Sequence, residues 1–483
     1  MILRCVMFNR KAYVFLMEMF KTKNLTSGSP LKLIFTFSIP ILISNLFQQL
    51  YSMVDAIFIG NFIGTDALAG VTASSFLLFC VFGFVYGIST GCAIILARKF
   101  GAKSSAGMKL CIVNSIYILI IVGAILTILS VLSCSWMLKF LNSPPEIMPY
   151  AQTYTLISFA SILPIMAYNM FSQLLRSIGD NKAALLFLVF SVILNIVLDY
   201  LFVAVFHFSV TGAAFATTIS EMISAICCII YLFKKYEFTR PSRKYLKLNR
   251  TFFFYQLKLG VPMAFECSVC GVGLLFLQQA INSMGPCFVA GFGIAMRIED
   301  LIITTFLALA HSASVFVSQN FGAKKFIRIK KGASKALLIG LGFCAIFIII
   351  FLALWDFFVQ LFINNEQSTL EAISQIKLAA HRYMDITLLH YPALCCLIIL
   401  RSVVQSLGKT FIPLCGSIIE LLARAFGAFV LGFFFHYDGI CYATILAWWL
   451  AFVPMMFSFV NNIKKLLKNS KSFENADPKV NIT

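Results

Sequence analysis

Charge is what this sequence has least of. Only 12% of its 483 residues are Asp, Glu, Lys or Arg, about half the share of a soluble domain. A soluble chain of this length needs charge over its whole surface, so that class is excluded. Histidine is scarcer still: the five (207, 311, 381, 390 and 436) are dispersed, and none has the HExxH spacing of a zinc hydrolase. The fifteen Cys are scattered, mostly inside apolar runs, and suggest no disulfide framework. CSVC at 267–270 has a redox or metal-like spacing on one helix face, but no second Cys or His pair completes a four-ligand site. Converging nucleophiles, metal ligands and cofactor motifs are all missing. The chain therefore reads as a non-enzyme that needs no cofactor.

What is present in excess is hydrocarbon: 60% hydrophobic residues, 51 of them Phe, and a mean hydropathy of +0.92. Runs of about 20 apolar residues, the length that crosses a bilayer as helix, recur twelve times. They cover 33–61, 68–97, 110–138, 150–175, 183–206, 209–233, 252–283, 287–318, 333–363, 376–405, 411–435 and 439–463. The expected fold is an all-α integral membrane protein of twelve transmembrane helices. The net charge of +19 does not signal nucleic acid, because the basic residues fall in alternate loops. They cluster before run 1 (Arg10, Lys11, Lys21, Lys23) and after runs 2, 4, 6, 8, 10 and 12, the largest group being Lys234, Lys235, Arg240, Arg243, Lys244, Lys247 and Arg250. The intervening connections carry almost none, so both termini are expected in the cytoplasm. The first 30 residues make a poor signal peptide, broken by Glu18, and Met19 offers an alternative start.

The chain repeats itself. FSIP, RKFGAK, LLRSIGDNKAALL and TGAAFAT in the first half are answered in order by LGVP, QNFGAK, VVQSLGKTFIPL and DGICYAT. Pro40 and Pro262 are 222 residues apart, Gly101 and Gly322 221, Gly179 and Gly408 229. Six helices per copy bring both copies in from the same side, which makes this a parallel repeat. The expected organisation is a cytoplasmic segment over 1–30, a six-helix lobe over 31–233, a cytoplasmic linker over 234–250, a second lobe over 251–463 and a tail over 464–483.

Against that frame Asp55, in LYSMVDAIFIG, lies six residues from the end of run 1, roughly 10 Å below the outer face. Asp199 in run 5 lies at the same depth with Asn195 one turn deeper, and Thr217 in run 6 matches it from the opposite direction. Ser44, Gln48, Tyr51 and Asp55 share one helix face, as do Ser191, Asn195 and Asp199. No Lys or Arg lies at that depth in the first lobe. The two carboxylates must then take a proton, bind a cation or open to water, because an isolated buried charge is costly. The plainer alternative is that they cap loops at a wet interface. The second lobe instead mixes signs near mid-membrane: Glu266 in run 7, Arg297, Glu299 and Asp300 in run 8, and Glu420 with Arg424 in run 11. Glu420 and Arg424 are one turn apart and read as a structural pair. Arg297 is expected to neutralise one more acid, which leaves Glu266 as the candidate for a second-lobe site.

SIPILISNLFQQLYSMVDAIFIGNFIGTDALAG, LLRSIGDNKAA and NIVLDY together resemble the multidrug and toxic compound extrusion (MATE) family, of the bacterial multidrug-export and DNA-damage-inducible F type, over residues 30–463. The resemblance implies a cation-coupled antiporter, driven by H+ or Na+, that exports drug-like organic compounds by alternating access. It also implies a coupling site at Asp55, Tyr51, Asn195, Asp199 and Thr217, with Glu266 similar in placement to an acidic residue of some relatives. Where some relatives carry a helix 10 aspartate, this chain reads MDITLLHYPAL, which weakens the case for a sodium site in the second lobe. The implied partners are small organic molecules, the coupling ion and membrane lipid, with a monomer as the working unit and the bacterial inner membrane as its location. A flippase for lipid-linked sugars would share the architecture but should carry extra helices or a strongly cationic cavity. An integral-membrane enzyme would need the chemistry found missing above.

The alternation of basic loops makes a topological prediction. Cysteine labelling in intact cells should reach residues 142–148 from outside, and residues 240–250 only after the membrane is permeabilised. Labelling of 240–250 from outside would overturn the twelve-span arrangement.

Overall fold

Lipid offers no hydrogen bond to a backbone amide, so a chain this apolar closes its own ladder as helix. In the computed structural model the described residues are 24–140, 144–360 and 370–476, and they contain helices, turns and no strand. The N-terminal basic cluster at 10–23 lies outside them, as do residues 142 and 143 and the last residues of the tail. The helices are α1 (Pro30–Phe62), α2 (Thr65–Gly101), α3 (Ser105–Phe140), α4 (Met148–Ala160), α5 (Ile162–Ser177), α6 (Asn181–Asp199) and α7 (Ser209–Lys235), then α8 (Arg250–Asn282), α9 (Pro286–Gly322), α10 (Phe326–Gln360), α11 (Leu370–Thr387), α12 (Tyr391–Ser406), α13 (Phe411–Phe426) and α14 (Gly432–Ala476).

Their number reconciles with twelve spans once three breaks are understood. The first is the 3-10 turn Leu388–His390, across which α11 and α12 form one span, Glu371–Ser406. Helices α4 and α5 bend by 53° and together make one span. Pro164 explains the bend, since it has no N–H to give the Ala160 carbonyl. The Ser161 hydroxyl turns back to the Ile157 carbonyl at 2.7 Å and meets Thr218 at 2.6 Å. The stretch Phe411–Lys468 is helical over 58 residues, about 87 Å if straight, which is nearly three bilayer cores. It reverses instead at His436, where φ is 51° and ψ −130°. Gly427 permits the hairpin: a Cβ there would come within 2.2 Å of the Ala443 Cβ.

The irregular points repeat as the sequence does. π-helical turns follow α6 at Tyr200–Val205 and α13 at Gly427–Leu431. Gly64 and Gly285 open α2 and α9 with φ of 122° and 99°, and Gly179 and Gly408 turn with φ of 95° and 86°. A positive φ suits glycine, so these turns were fixed by the same chemistry twice. Pro164 has a counterpart in Pro392, which follows the 3-10 turn Leu388–His390 between α11 and α12.

Contacts divide the chain into two compact units. Unit 1 holds 43–78 and 92–256 with the segment before Ser29, and unit 2 holds 29–42, 79–91 and 257 onward. In unit 1 one end is an apolar cluster of Ile59, Ala67, Tyr154, Val203, Val210 and Ala213. At the other end Asp180 caps α6 by accepting from the Ala183 amide (3.2 Å), and also accepts from Tyr231 (3.0 Å), Tyr236 (2.5 Å) and Lys235 (3.0 Å). With three side-chain donors and an amide on one carboxylate, the buried charge is compensated. In unit 2 the α2 segment 79–91 lies backbone to backbone on α8. A Cβ on Gly87 would lie 2.4 Å from the Ala264 amide, and one on Gly91 2.4 Å from the Gly260 Cα. Small residues drive helix contact where lipid gives no hydrophobic push.

Candidate functional site

Unit 1 gathers polar side chains from four helices into its interior. Helix α1 contributes Tyr51 and Asp55, α4 contributes Tyr154, α6 contributes Asn195 and Asp199, and α7 contributes Thr217. Asp55 is 8% exposed, and Asn195 and Asp199 are fully buried. The Asp55 carboxyl lies within interaction range of Asp199, Asn195, Tyr154 and Thr217, and Tyr51 within range of Asp55 and Thr217. The five residues singled out in the sequence as a coupling site are thus brought together, on faces set by the i, i+4 spacing of each helix.

Most of the polar atoms gathered here have no hydrogen-bond partner. Tyr51 Oη, Asp55 Oδ1, both polar atoms of the Asn195 amide, both Asp199 oxygens and Thr217 Oγ1 are buried without a hydrogen-bond partner, as is Ser191 Oγ. Buried polar groups are satisfied nine times in ten or more, so so many orphans in one place mark a site rather than a packing accident. Two carboxylates, an amide, a hydroxyl and two phenols could surround a proton or a small monovalent cation. A divalent metal is a poor match, since no group of three His, Cys, Asp or Glu with metal-holding geometry occurs among the described residues. One member of the cluster, Tyr154, and one neighbour outside it, Glu221, were not recognised from sequence. Tyr154 sits on α4 between Thr153 and Thr155, with no acid on its helix to draw attention to it. Glu221 on α7, whose Oε2 is likewise orphaned, stands one turn beyond Thr217, and that i+4 spacing was the signal available.

Unit 2 is built on the opposite plan. Glu266 accepts from Gln405 Nε2 at 2.6 Å and faces Arg401 Nε at 3.4 Å. Arg401 also donates to Glu420, which in turn meets Arg424 Nη2 at 3.6 Å. The Glu420–Arg424 pair expected one turn apart is present, but Arg401 on α12 is the nearer cation and joins Glu266 and Glu420 into one network. Among the described residues Arg297 acts on Asp300 alone, and Glu266 is met by Arg401 instead. Arg297 and Asp300 are three residues apart and share an exposed face of α9, whereas Glu299 points the other way and is 3% exposed. Arg297, Glu299 and Asp300 therefore do not form one site. Glu299 accepts from Tyr383 at 2.8 Å and from Tyr391 at 3.4 Å.

An all-helical chain of twelve spans, duplicated and carrying unpaired carboxylates inside one half, has the construction of a membrane transporter. The family profile described as MatE matches residues 40–201 and again 262–430, once in each repeat, and the chain belongs to that family of efflux transporters. It is 31% identical over 307 residues to the probable multidrug resistance protein YpnP of Bacillus subtilis (strain 168), covering 62% of this chain and 67% of that one. It is 26% identical over 292 residues to the multidrug export protein MepA of Staphylococcus saprophyticus, covering 60% and 64%. A crystal structure of MATE in the bent conformation matches with a TM-score of 0.84 over 93% of this chain and 100% of that one, at 22% identity. A MOP superfamily transporter from Pyrococcus furiosus matches with 0.82 over 92% and 98%, at 22% identity. At such identities the structures share a fold.

The unit 2 network predicts a stability effect. Arg401→Met leaves Glu266 and Glu420 buried without their nearest cation and should cost about 3–5 kcal/mol, read as a lower thermal unfolding midpoint of the purified protein. Adding Glu266→Gln and Glu420→Gln should restore much of it. An Arg401→Met protein of unchanged stability would show that the network is not structural.

Proposed function

We propose that this transporter exports drug-like organic cations and amphipathic compounds in exchange for H+ or Na+, and that the exchange takes place at Asp55, Asp199, Asn195, Thr217 and Tyr51. The observation that carries the reading is the pair of buried carboxylates with no basic partner, in which Asp55 Oδ1 and both Asp199 oxygens accept no hydrogen bond. In hydrocarbon such a pair is expensive and is retained where it moves an ion. The names of the relatives, multidrug resistance and multidrug export proteins, support the substrate class, as do the Phe, Met and Tyr available to line a cavity for varied cations. A cation entering from outside binds the pair and disfavours the substrate-loaded state. Substrate binding from inside displaces the cation and favours the reverse shift. The two lobes, 31–233 and 251–463, rock about the 234–250 linker in this scheme. Both termini face the cytoplasm of a bacterial cell, with Glu266, Glu420, Arg401 and Arg424 keeping the second lobe rigid.

Reconstituted into proteoliposomes, the protein should expel ethidium under an imposed H+ or Na+ gradient and not when both gradients are collapsed. Asp55→Asn removes the charge while keeping the shape. It should insert and bind ethidium yet lose gradient-driven efflux by on the order of a hundredfold. Asp199→Asn should behave alike, and the double variant should be little worse than either because the two share one site. Full gradient-driven efflux by Asp55→Asn would reduce the pair to interfacial caps.

A further inference from the structure

The orphaned atoms of unit 1 do not stop at the carboxylate pair. On α7 they continue along one face at the i, i+4, i+7 positions: Thr217 Oγ1, Glu221 Oε2 and Ser224 Oγ are all buried and unpartnered. A lone carboxyl on an apolar helix normally finds a cation, and Glu221 has none beside it while its Oε2 is buried without a donor. It is 12 residues from the first residue of α7 and 14 from the last, so it sits at the middle of the span. One turn, about 6 Å, separates it from Thr217 along the axis. The groups facing it from the helices packed around α7 are phenols, Tyr51 of α1 and Tyr168 of α5, with Arg176 and Cys228 beyond Tyr168. Tyr51 is common to both clusters, within interaction range of Asp55 and of Glu221.

We propose that Glu221 is a second proton-carrying station of unit 1, passing protons between the Asp55–Asp199 pair and the cytoplasmic half of the membrane by way of Tyr51. This inference rests on the reading of Asp55 and Asp199 as an exchange site and adds the inward route to it. One carboxylate beside two phenols supplies too few oxygens to strip water from a metal cation, so the particle carried at this station is a proton. In the transfer the O–H bond of the protonated aspartyl carboxyl breaks and its proton joins the Tyr51 oxygen. The phenol's own proton passes to the Glu221 carboxylate. The aspartate is left ionised, Glu221 becomes the neutral acid and Tyr51 is regenerated. Tyr51 Oη, Asp55 Oδ1, both Asp199 oxygens and Glu221 Oε2 carry no hydrogen bond, so a side-chain rotation at these atoms closes the relay without breaking one. A structural acid would be held by donors, as Asp180 is.

The test compares two readouts in proteoliposomes carrying the full chain: ethidium efflux driven by a proton gradient, and ethidium–ethidium exchange, which needs no net proton movement. Glu221→Gln should lose proton-driven efflux on the order of tenfold or more while exchange stays at the wild-type rate. Glu221→Asp should recover part of the efflux, because it restores an ionisable carboxyl one methylene short. Loss of both readouts in Glu221→Gln would assign the residue to folding or substrate binding, and unchanged efflux with the wild-type pH profile would make it idle. Either result overturns the proposal. Asp55→Asn in the same assay keeps the two claims apart. If Asp55→Asn is uncoupled and Glu221→Gln is not, only the relay fails; if Asp55→Asn is fully coupled, the exchange site itself fails.

Discussion

A carboxylate inside a membrane must find a partner or be neutral, and the interior of this protein is organised by how each half meets that demand. The backbone satisfies itself as helix, and apolar side chains pack or face lipid at no great cost. Buried acids are few enough to follow one by one. In unit 2 Glu266 and Glu420 are bound by Arg401 and Arg424, and Glu299 takes two tyrosine hydroxyls. In unit 1 Asp180 is held by Lys235, Tyr231 and Tyr236, whereas Asp55, Asp199 and Glu221 retain oxygens with no partner at all. A satisfied network resists change, since breaking it exposes an uncompensated charge. An unsatisfied one can exchange what it binds.

The duplication makes the contrast sharper, because equivalent positions were given different chemistry. At the spacing of the Gly179–Gly408 repeat, Ser191 corresponds to Glu420, Asn195 to Arg424 and Tyr154 to Tyr383; Thr217 and Thr444 occupy the same place in TGAAFAT and DGICYAT. Where the first copy has an amide beside unpaired carboxyls, the second has a guanidinium already supplying the positive charge. Arg424 does in unit 2 what an exchangeable cation would do in unit 1, and cannot leave. The repeat therefore gives the halves the same turns and breaks but leaves unpaired carboxylates of this kind in unit 1 only, among the described residues.

Much of this was legible in the sequence because the bilayer is a severe and simple solvent. Apolar runs had to be spans, the repeated motifs pointed to two equivalent halves, and the aspartates of runs 1 and 5 stood at one depth. Legibility failed where a partner came from another helix at an unrelated position. The i+4 spacing of Glu420 and Arg424 is visible in one dimension, but the reach of Arg401 from α12 to two acids is not. Grouping Glu299 with Arg297 and Asp300 failed because proximity in sequence hides separation around the helix, about 200° between Arg297 and Glu299. Tyr154 could not be read because the bend at Pro164 sets which way α4 faces. Glu221 was readable and overlooked: a single acid in TTISEMIS carries no motif, only its register with Thr217.

The central claim is that substrate and coupling cation compete through the unit 1 carboxylates, and binding at equilibrium tests it without any transport. Reciprocity requires that, if the cation weakens ethidium binding, ethidium weakens cation binding by the same factor. Ethidium affinity of the detergent-purified protein, titrated against pH and against Na+, should fall as one of the two cations is raised, by about tenfold for each 1.4 kcal/mol of coupling. In Asp55→Asn the affinity should be flat over the same range. Affinity in the wild type that is indifferent to both cations, or that varies identically in Asp55→Asn, would contradict the account.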